Sequence, residues 1–186
     1  MLGWLFDRRG GAAISEDHVW VSDAARLEGL RREIARVTGA GSKIMVVALT
    51  RDSYRSLLSE LSEHSPLRCE TLMERDQALS RLGKSAAVVV AHAGALPGAL
   101  RSPGELQLEI LVYGRSDRRA ADDVVIRFAD LLARRTPVTF HLSLDDSLLR
   151  RESENIKPLL ARLKVPEDEP IVHRFISSAI ERAQRK

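Results

Sequence analysis

The residue types able to do chemistry are few in this chain, and their spacing is mostly wrong for it. Gly83-Lys84-Ser85 has the ending of a phosphate-binding loop. Such a loop needs a glycine five residues before the Gly-Lys pair, after a strand and before a helix. Ala78 stands at that place, residues 74–82 read as a helix, and a strand follows. The context is reversed, so no phosphate cradle is expected. Five histidines, at positions 18, 64, 92, 141 and 173, have no pair spaced by three or four. A zinc site is therefore not expected, and with one cysteine no thiolate-rich site is either. His141 reads as an in-sheet structural histidine. His92 follows an apolar strand at its carboxyl end, but lacks a named partner. Asp145-Asp146 could hold magnesium or act as acid and base, yet at a helix start they serve as cap and dipole complement. Arg134-Arg135 could grip a phosphate, or sit against a helix C-terminus. Cys69, alone, reads as a buried small hydrophobe and points to a reducing, cytoplasmic setting.

The elements that must position these groups follow from periodicity. Ile44–Leu49 and Ala86–Ala91 are apolar without interruption, as in strands buried on both faces. His18–Val21, Leu67–Leu72, Leu106–Tyr113 and Val138–Leu144 read as further strands. Between them lie amphipathic segments. Ser22 caps a helix carrying Leu27, Leu30, Ile34 and Val37, which Gly39 and Gly41 end. Asp52 or Ser53 opens the next, with Tyr54, Leu57, Leu58 and Leu61 on one side. Residues 74–82 and 117–134 are helical, the latter through Val124, Val125, Phe128, Leu131 and Leu132. Helices at about 145–163 and from about Pro170 close the chain. Alternating strand and helix predict an α/β fold, with a parallel sheet of about five or six strands covered on both faces. Ligands on such sheets sit at the carboxyl ends of strands, here the loops at 49–53, 91–104 and 113–117.

The 186 residues suit one domain: a tail at 1–15, a body at 16–165, and a linker with a C-terminal helix at 166–186. Twenty-nine basic and 26 acidic residues are spread evenly, so no basic stripe supports nucleic-acid binding. No run approaches a membrane span, and Met1–Phe6 is too short for a signal core; it covers an apolar patch, frays, or touches a partner or membrane surface. Ile171, Phe175, Ile176, Ala179 and Ile180 form an apolar stripe on the last helix. That stripe either folds back on the sheet or contacts a partner.

The C-terminal residues carry a more specific signal. Val138-Thr139-Phe140-His141-Leu142-Ser143-Leu144-Asp145-Asp146-Ser147-Leu148-Leu149-Arg150 resembles the stretch that closes the second nucleotide-binding domain of SecA, the preprotein translocase ATPase, roughly F-Y-L-S-L-E-D-D-L-M-R. Leu159–Leu163, Pro166–Ile171, His173 and Ser178–Gln184 resemble the lead into that family's long scaffold helix. The resemblance spans about 16–186, is strong from 138 and looser before it. It implies a RecA-like domain of the helicase C-terminal type.

What the resemblance lacks shapes the function it implies. The family's first nucleotide-binding domain, with its P-loop, has no counterpart here. Where the family has a T-N-M-A-G-R-G-T-D-type loop, this chain has His92-Ala93-Gly94-Ala95-Leu96-Pro97-Gly98, keeping glycines but not the Arg and Asp. The glycine-rich arginine-finger segment is replaced by Val125–Pro137, with Arg134 and Arg135 near the finger positions. An arginine finger is worth roughly 10³–10⁵ in rate. The resemblance thus implies a non-enzymatic domain without cofactor, acting as a protein-interaction module, with a translocase component as the partner. The alternative is weak ATP or ADP binding through Gly94, Gly98, Arg134 and Arg135, completed by a partner chain's P-loop.

Overall fold

The computed structural model describes residues 11–82, 84, 87–96, 98, 100, 107–132, 135–172 and 174–184. Among the described residues seven parallel strands form one sheet: β1 (Gly11–Ile14), β2 (His18–Trp20), β3 (Lys43–Ala48), β4 (Leu67–Cys69), β5 (Val88–His92), β6 (Leu108–Tyr113) and β7 (Arg135–Ser143). The order across the sheet is β1-β7-β6-β3-β5-β4, with β2 also on β7. The α-helices among the described residues are α1 (Asp23–Gly39), α2 (Arg51–Glu60), α3 (Leu72–Leu82), α4 (Arg119–Asp130), α5 (Arg150–Leu163) and α6 (Arg174–Gln184).

Strand alternation divides the core in two. Ile44, Val46, Val88, Val90 and Leu111 point to one face, where they meet Leu30, Ile34 and Val37 of α1 and Tyr54 and Leu57 of α2. Met45, Val47, Val89, Ile110, Val112 and Phe140 point to the other, against Leu82 of α3, Val125 and Phe128 of α4, and Ile176 and Ile180 of α6. Both faces are covered, which is why Ile44–Ala48 of β3 and Val88–Ala91 of β5 are apolar at every position.

Several boundaries differ from the sequence expectation, each for a local reason. Gly11–Ile14 is not tail but strand. It pairs with Arg135–Val138 along the outer edge of β7, and the Ala12 N–H is held by the Asp130 carboxylate at 2.8 Å. Backbone pairing needs no apolar side chain, so hydropathy does not reveal it. The helix at 51 is capped by Thr50, whose hydroxyl accepts from the Ser53 N–H, rather than by Asp52 or Ser53. The strand at 67 stops at Cys69 because Thr71 and Glu74 form a capping box: the Glu74 carboxylate accepts from the Glu70 and Thr71 N–H groups, and the Glu74 N–H donates to the Thr71 hydroxyl. The helix expected over 117–134 ends at Asp130, and Arg135 opens β7 instead of completing a helix C-terminus.

The last segment divides differently too. Ile171 is not on the final helix but makes an antiparallel bridge to Val19, exchanging both backbone hydrogen bonds. This covers the outer edge of β2, which would otherwise present unpaired backbone groups. The helix itself begins at Arg174.

Candidate functional site

The carboxyl ends of β2, β3, β5, β6 and β7 share one edge of the sheet, the edge on which α/β folds place their ligands. Three side-chain groups are built there.

The first joins β7 to the start of α1. Arg26 lies on α1, 6% exposed, and its guanidinium donates to the Asp146 carboxylate at 2.8 and 3.0 Å and to Asp23 at 2.9 Å. It also rests 4.0 Å over the Tyr113 ring. Asp146 accepts from the Ser143 N–H as well, at 2.9 Å. Asp145 accepts from the Asp23 N–H at 3.1 Å and from Lys157. The Asp145-Asp146 pair was expected to cap its own helix; it holds the N-terminal turn of α1 instead, 120 residues away in sequence. The reason is the short 3-10 turn at Ser147–Leu149, which delays α5 to Arg150. Lys157 holds the Asp145 carboxyl below its usual range. Burial raises that of Asp146, against the pull of Arg26.

The second group centres on Arg115, just past β6. Its Nε and one terminal nitrogen donate to Asp17 at 3.1 and 2.6 Å, and the other donates to Asp122 at 3.1 Å. The guanidinium lies 3.8 Å over Phe140. Asp17 reaches it because of a bulge: residues 15–17 of the first strand pair stand against only 139 and 140 of β7. Asp122, 1% exposed, accepts from the Ser116 N–H and from the Gln184 amide at 2.6 Å. Gln184 also donates to the Ser116 carbonyl. The end of α6 is thus tied to the loop after β6. Burial raises the Asp17 carboxyl despite Arg115 beside it.

The third group surrounds the end of β5. His92 Nδ1 accepts the Gly94 N–H at 3.2 Å, and its ring meets Tyr54 edge-on. Arg75 of α3 donates to the Leu96 carbonyl at 3.0 Å and to Asp76, tying the turn at 93–96 to α3.

The expected nucleotide-contacting residues are not gathered. Gly94 lies at the carboxyl edge with its N–H already used. Gly98 has φ +103° and lines a hollow with Arg127, Phe128 and Asp130 of α4. Arg135 opens β7 at the amino edge. The register of His92 through Ala48 and Tyr113 to His141 places it six residues, or about 20 Å, below. Arg134 lies outside the described residues, as do Met1–Phe6, Gly83, Ser85 and His173. Lys84 follows α3, and β5 comes after it, so helix precedes strand there. Of the expected partner contacts, Ile176 and Ile180 are buried in the chain's own core, Ile171 is half-buried on β2, and the side chain of Phe175 is outside the described residues. The stripe therefore faces inward.

Two other expectations concern buried groups. His141 is 1% exposed inside the sheet, and burial with His18 and Arg26 nearby lowers its pKa to about 3. Cys69 is buried and its thiol pushed up to about 12, unfit as a nucleophile. Among the described residues no three His, Cys, Asp or Glu side chains cluster to hold a metal, and no helix is long and apolar enough to cross a membrane.

Sequence reasoning missed Arg115, Asp17, Asp122 and Gln184. They are brought together by the bulge, the β6–α4 loop and the return of α6, none of which has a spacing signal. Arg26 was missed too, although Asp23-x-x-Arg26 is a helical i,i+3 pair, because Glu28-x-x-Arg31 and Glu33-x-x-Arg36 share that spacing.

No family model matches the chain. It is similar to the protein translocase subunit SecA of Caldicellulosiruptor saccharolyticus, 26% identical over 181 residues, covering 91% of this chain and 21% of that protein. SecA of Desulfotalea psychrophila is 28% identical over 180 residues, with the same coverage. A 48-residue stretch is 56% identical to SecA of Syntrophotalea carbinolica, covering 25% of this chain and 5% of that protein. The chain thus spans about a fifth of the length of the curated relatives it matches over most of its residues. Among solved structures, the C-terminal part of the Fun30 ATPase domain has a similar fold, with TM-score 0.53 and 13% identity, over 86% of this chain and 52% of that one. The chain is similar to SecA over nine-tenths of its residues, and its α/β fold is like that of the C-terminal part of the Fun30 ATPase domain.

Proposed function

We propose that this SecA-like domain is a non-catalytic protein-interaction module that docks on a component of a protein-translocation system. The observation that carries the reading is the state of the arginines at the carboxyl edge. Arg26 and Arg115 are each bound by two of the chain's own carboxylates. A guanidinium paired in that way has its charge answered by the chain itself, and although the Arg26 Nε is left without a partner it is buried, whereas phosphate recognition needs an accessible, uncompensated guanidinium. The Gly94 N–H is likewise spent on His92. No cofactor is required by such a module. The similarity to SecA over 91% of the chain supplies the translocation link.

Calorimetry with Mg–ATP and Mg–ADP, alone and with a P-loop-bearing translocase chain added, tests the reading. No heat of nucleotide binding is expected in either case. Pull-down from the source cells is expected to recover a translocase component. Nucleotide binding that appears with the added chain would instead favour a shared nucleotide site. Failure to recover any partner, from an inert monomer, would remove the interaction reading.

A further inference from the structure

The helix α5 is half-docked, and its open half has a definite chemistry. Its apolar residues recur at Ile156, Leu159, Leu160 and Leu163, one stripe of a helix. Ile156 and Leu160 pack against the core of the domain. Leu159 and Leu163, four residues apart and so on one face, are 52% and 64% exposed. On the far side of these two leucines from the domain runs a second strip, Arg151, Asn155 and Arg162, spaced by four and seven and exposed throughout. Among the described residues neither Arg151 nor Arg162 makes an ion pair, although most surface arginines of α1 do. Glu152, half-buried, is the one acid near the stripe, in the first turn of the helix.

We propose that this open flank of α5 binds an amphipathic α-helix of a partner protein. The partner's aliphatic residues would lie over Leu159 and Leu163, and acidic residues along its border against Arg151 and Arg162. The inference rests on the interaction reading above and names its surface. Two unpaired arginines beside an apolar strip favour an acidic-bordered helix, since unlike charges at a rim steer association and fix register. An anionic lipid surface is disfavoured by the lack of an aromatic anchor on the strip.

The test places the photo-crosslinking residue p-benzoylphenylalanine at Asn155, leaving leucines and arginines intact, in the full chain within its source cells. Light is expected to join it to one protein, and the joined peptide, mapped by mass spectrometry, should be an amphipathic helix with acidic residues on its border. The pair Arg151→Glu, Arg162→Glu should lower the yield by at least about five-fold, the effect of reversing two rim charges. The pair Leu159→Ser, Leu163→Ser should do the same. Thermal unfolding of both should match the parent, because all four side chains are exposed. No adduct, an adduct to lipid or to a second copy, a joined segment that is basic or not helical, or yields unmoved by the substitutions would overturn the proposal. Should a partner still co-purify with the Leu159→Ser, Leu163→Ser variant at parental yield, this surface is wrong while the interaction reading stands. When even the parent recovers nothing, both fall.

Discussion

The Trp20 indole N–H donates to His141 Nδ1 over 3.3 Å, with the two rings stacked within 10° of parallel. Since Nδ1 accepts, the imidazole proton sits on Nε2, which is buried without a partner. His18 meets the same ring edge-on at 5.1 Å, and Arg26 is close enough to disfavour further positive charge. The neutral histidine is therefore the folded form.

That relationship sets an acid limit on stability. The folded pKa of His141 is about 3, below its ordinary value of 6.5, so between these pH values the unfolded chain binds the extra proton. Stability is full above about pH 6.5 and falls as pH drops toward 3, by about 2 kcal/mol between pH 6.5 and 4.5. His18, also lowered by burial, adds in the same direction. Asp145, held low chiefly by Lys157, adds a further loss below the usual carboxylate range. Urea unfolding across this range should show the slope. His141→Gln keeps an acceptor for Trp20 and removes the titration, so its stability should change less with pH than the parent's. An equal slope in the two proteins would assign the acid loss elsewhere.

Trp20 also explains a glycine inside a helix. A Cβ on Gly29 would stand 2.1 to 2.7 Å from the indole ring. Ala is favoured over Gly in a helix by about 1 kcal/mol, but an overpacked contact costs about 1–3 kcal/mol, and here the neighbour is a buried ring that cannot swing away. Gly29→Ala should therefore lower the melting temperature. Gly39, in the same helix with nothing within 4 Å, is the control. Gly39→Ala should raise it, by up to about 1 kcal/mol of stability. Matching signs for the two variants would refute the packing argument.

The Arg115 cluster makes a charge prediction. Arg115→Ala leaves Asp17 and Asp122 facing each other with their cation gone, a change that costs about 3–5 kcal/mol when a buried pair is broken. Burial already raises the Asp17 carboxyl, and losing the Arg115 charge that pulls it down raises it further. A folded-state pKa above the unfolded one means the folded protein gains stability as pH falls. The deficit of Arg115→Ala relative to the parent should thus shrink from pH 7 to pH 5. A deficit that stays constant would mean that lost packing on Phe140, not uncompensated charge, dominates.

How much of this was legible depended on what each feature is made of. Buried strands declare themselves by apolar runs, and Ile44–Ala48 and Val88–Ala91 are where hydropathy puts them. The Ser22 cap was readable because it is local, with its hydroxyl accepting from the Ala25 N–H. Strand β1 was not, because Gly-Ala-Ala-Ile pairs through its backbone alone. Asp145 and Asp146 were visible as a pair, but what they hold is set by the return of α1 beside β7. Arg115 was invisible for the same reason, as its partners lie at positions 17 and 122. The glycines at 94 and 98 were found as loop residues, but sequence distance could not show that Arg135 starts at the opposite edge.

The final prediction concerns whether α6 belongs to this domain or to a partner. Ile176 and Ile180 are 4% and 1% exposed, and Gln184 is bonded to Asp122 and Ser116. Truncating a buried isoleucine to alanine costs about 2–5 kcal/mol, from lost transfer and from the cavity left behind. Ile180→Ala should show a loss in this range by denaturant unfolding, with an unchanged m-value. Gln184→Ala leaves Asp122 its bonds to Arg115 and Ser116, so its cost should be smaller, about 1 kcal/mol. Deleting residues 174–186 should cost more than either and raise the exchange rates of amides in β1 and α4, which border the uncovered core. If α6 instead leaves the sheet for a partner in solution, Ile180→Ala and the deletion would both leave the isolated protein's unfolding unchanged. Amide exchange would then show α6 unprotected in the parent as well.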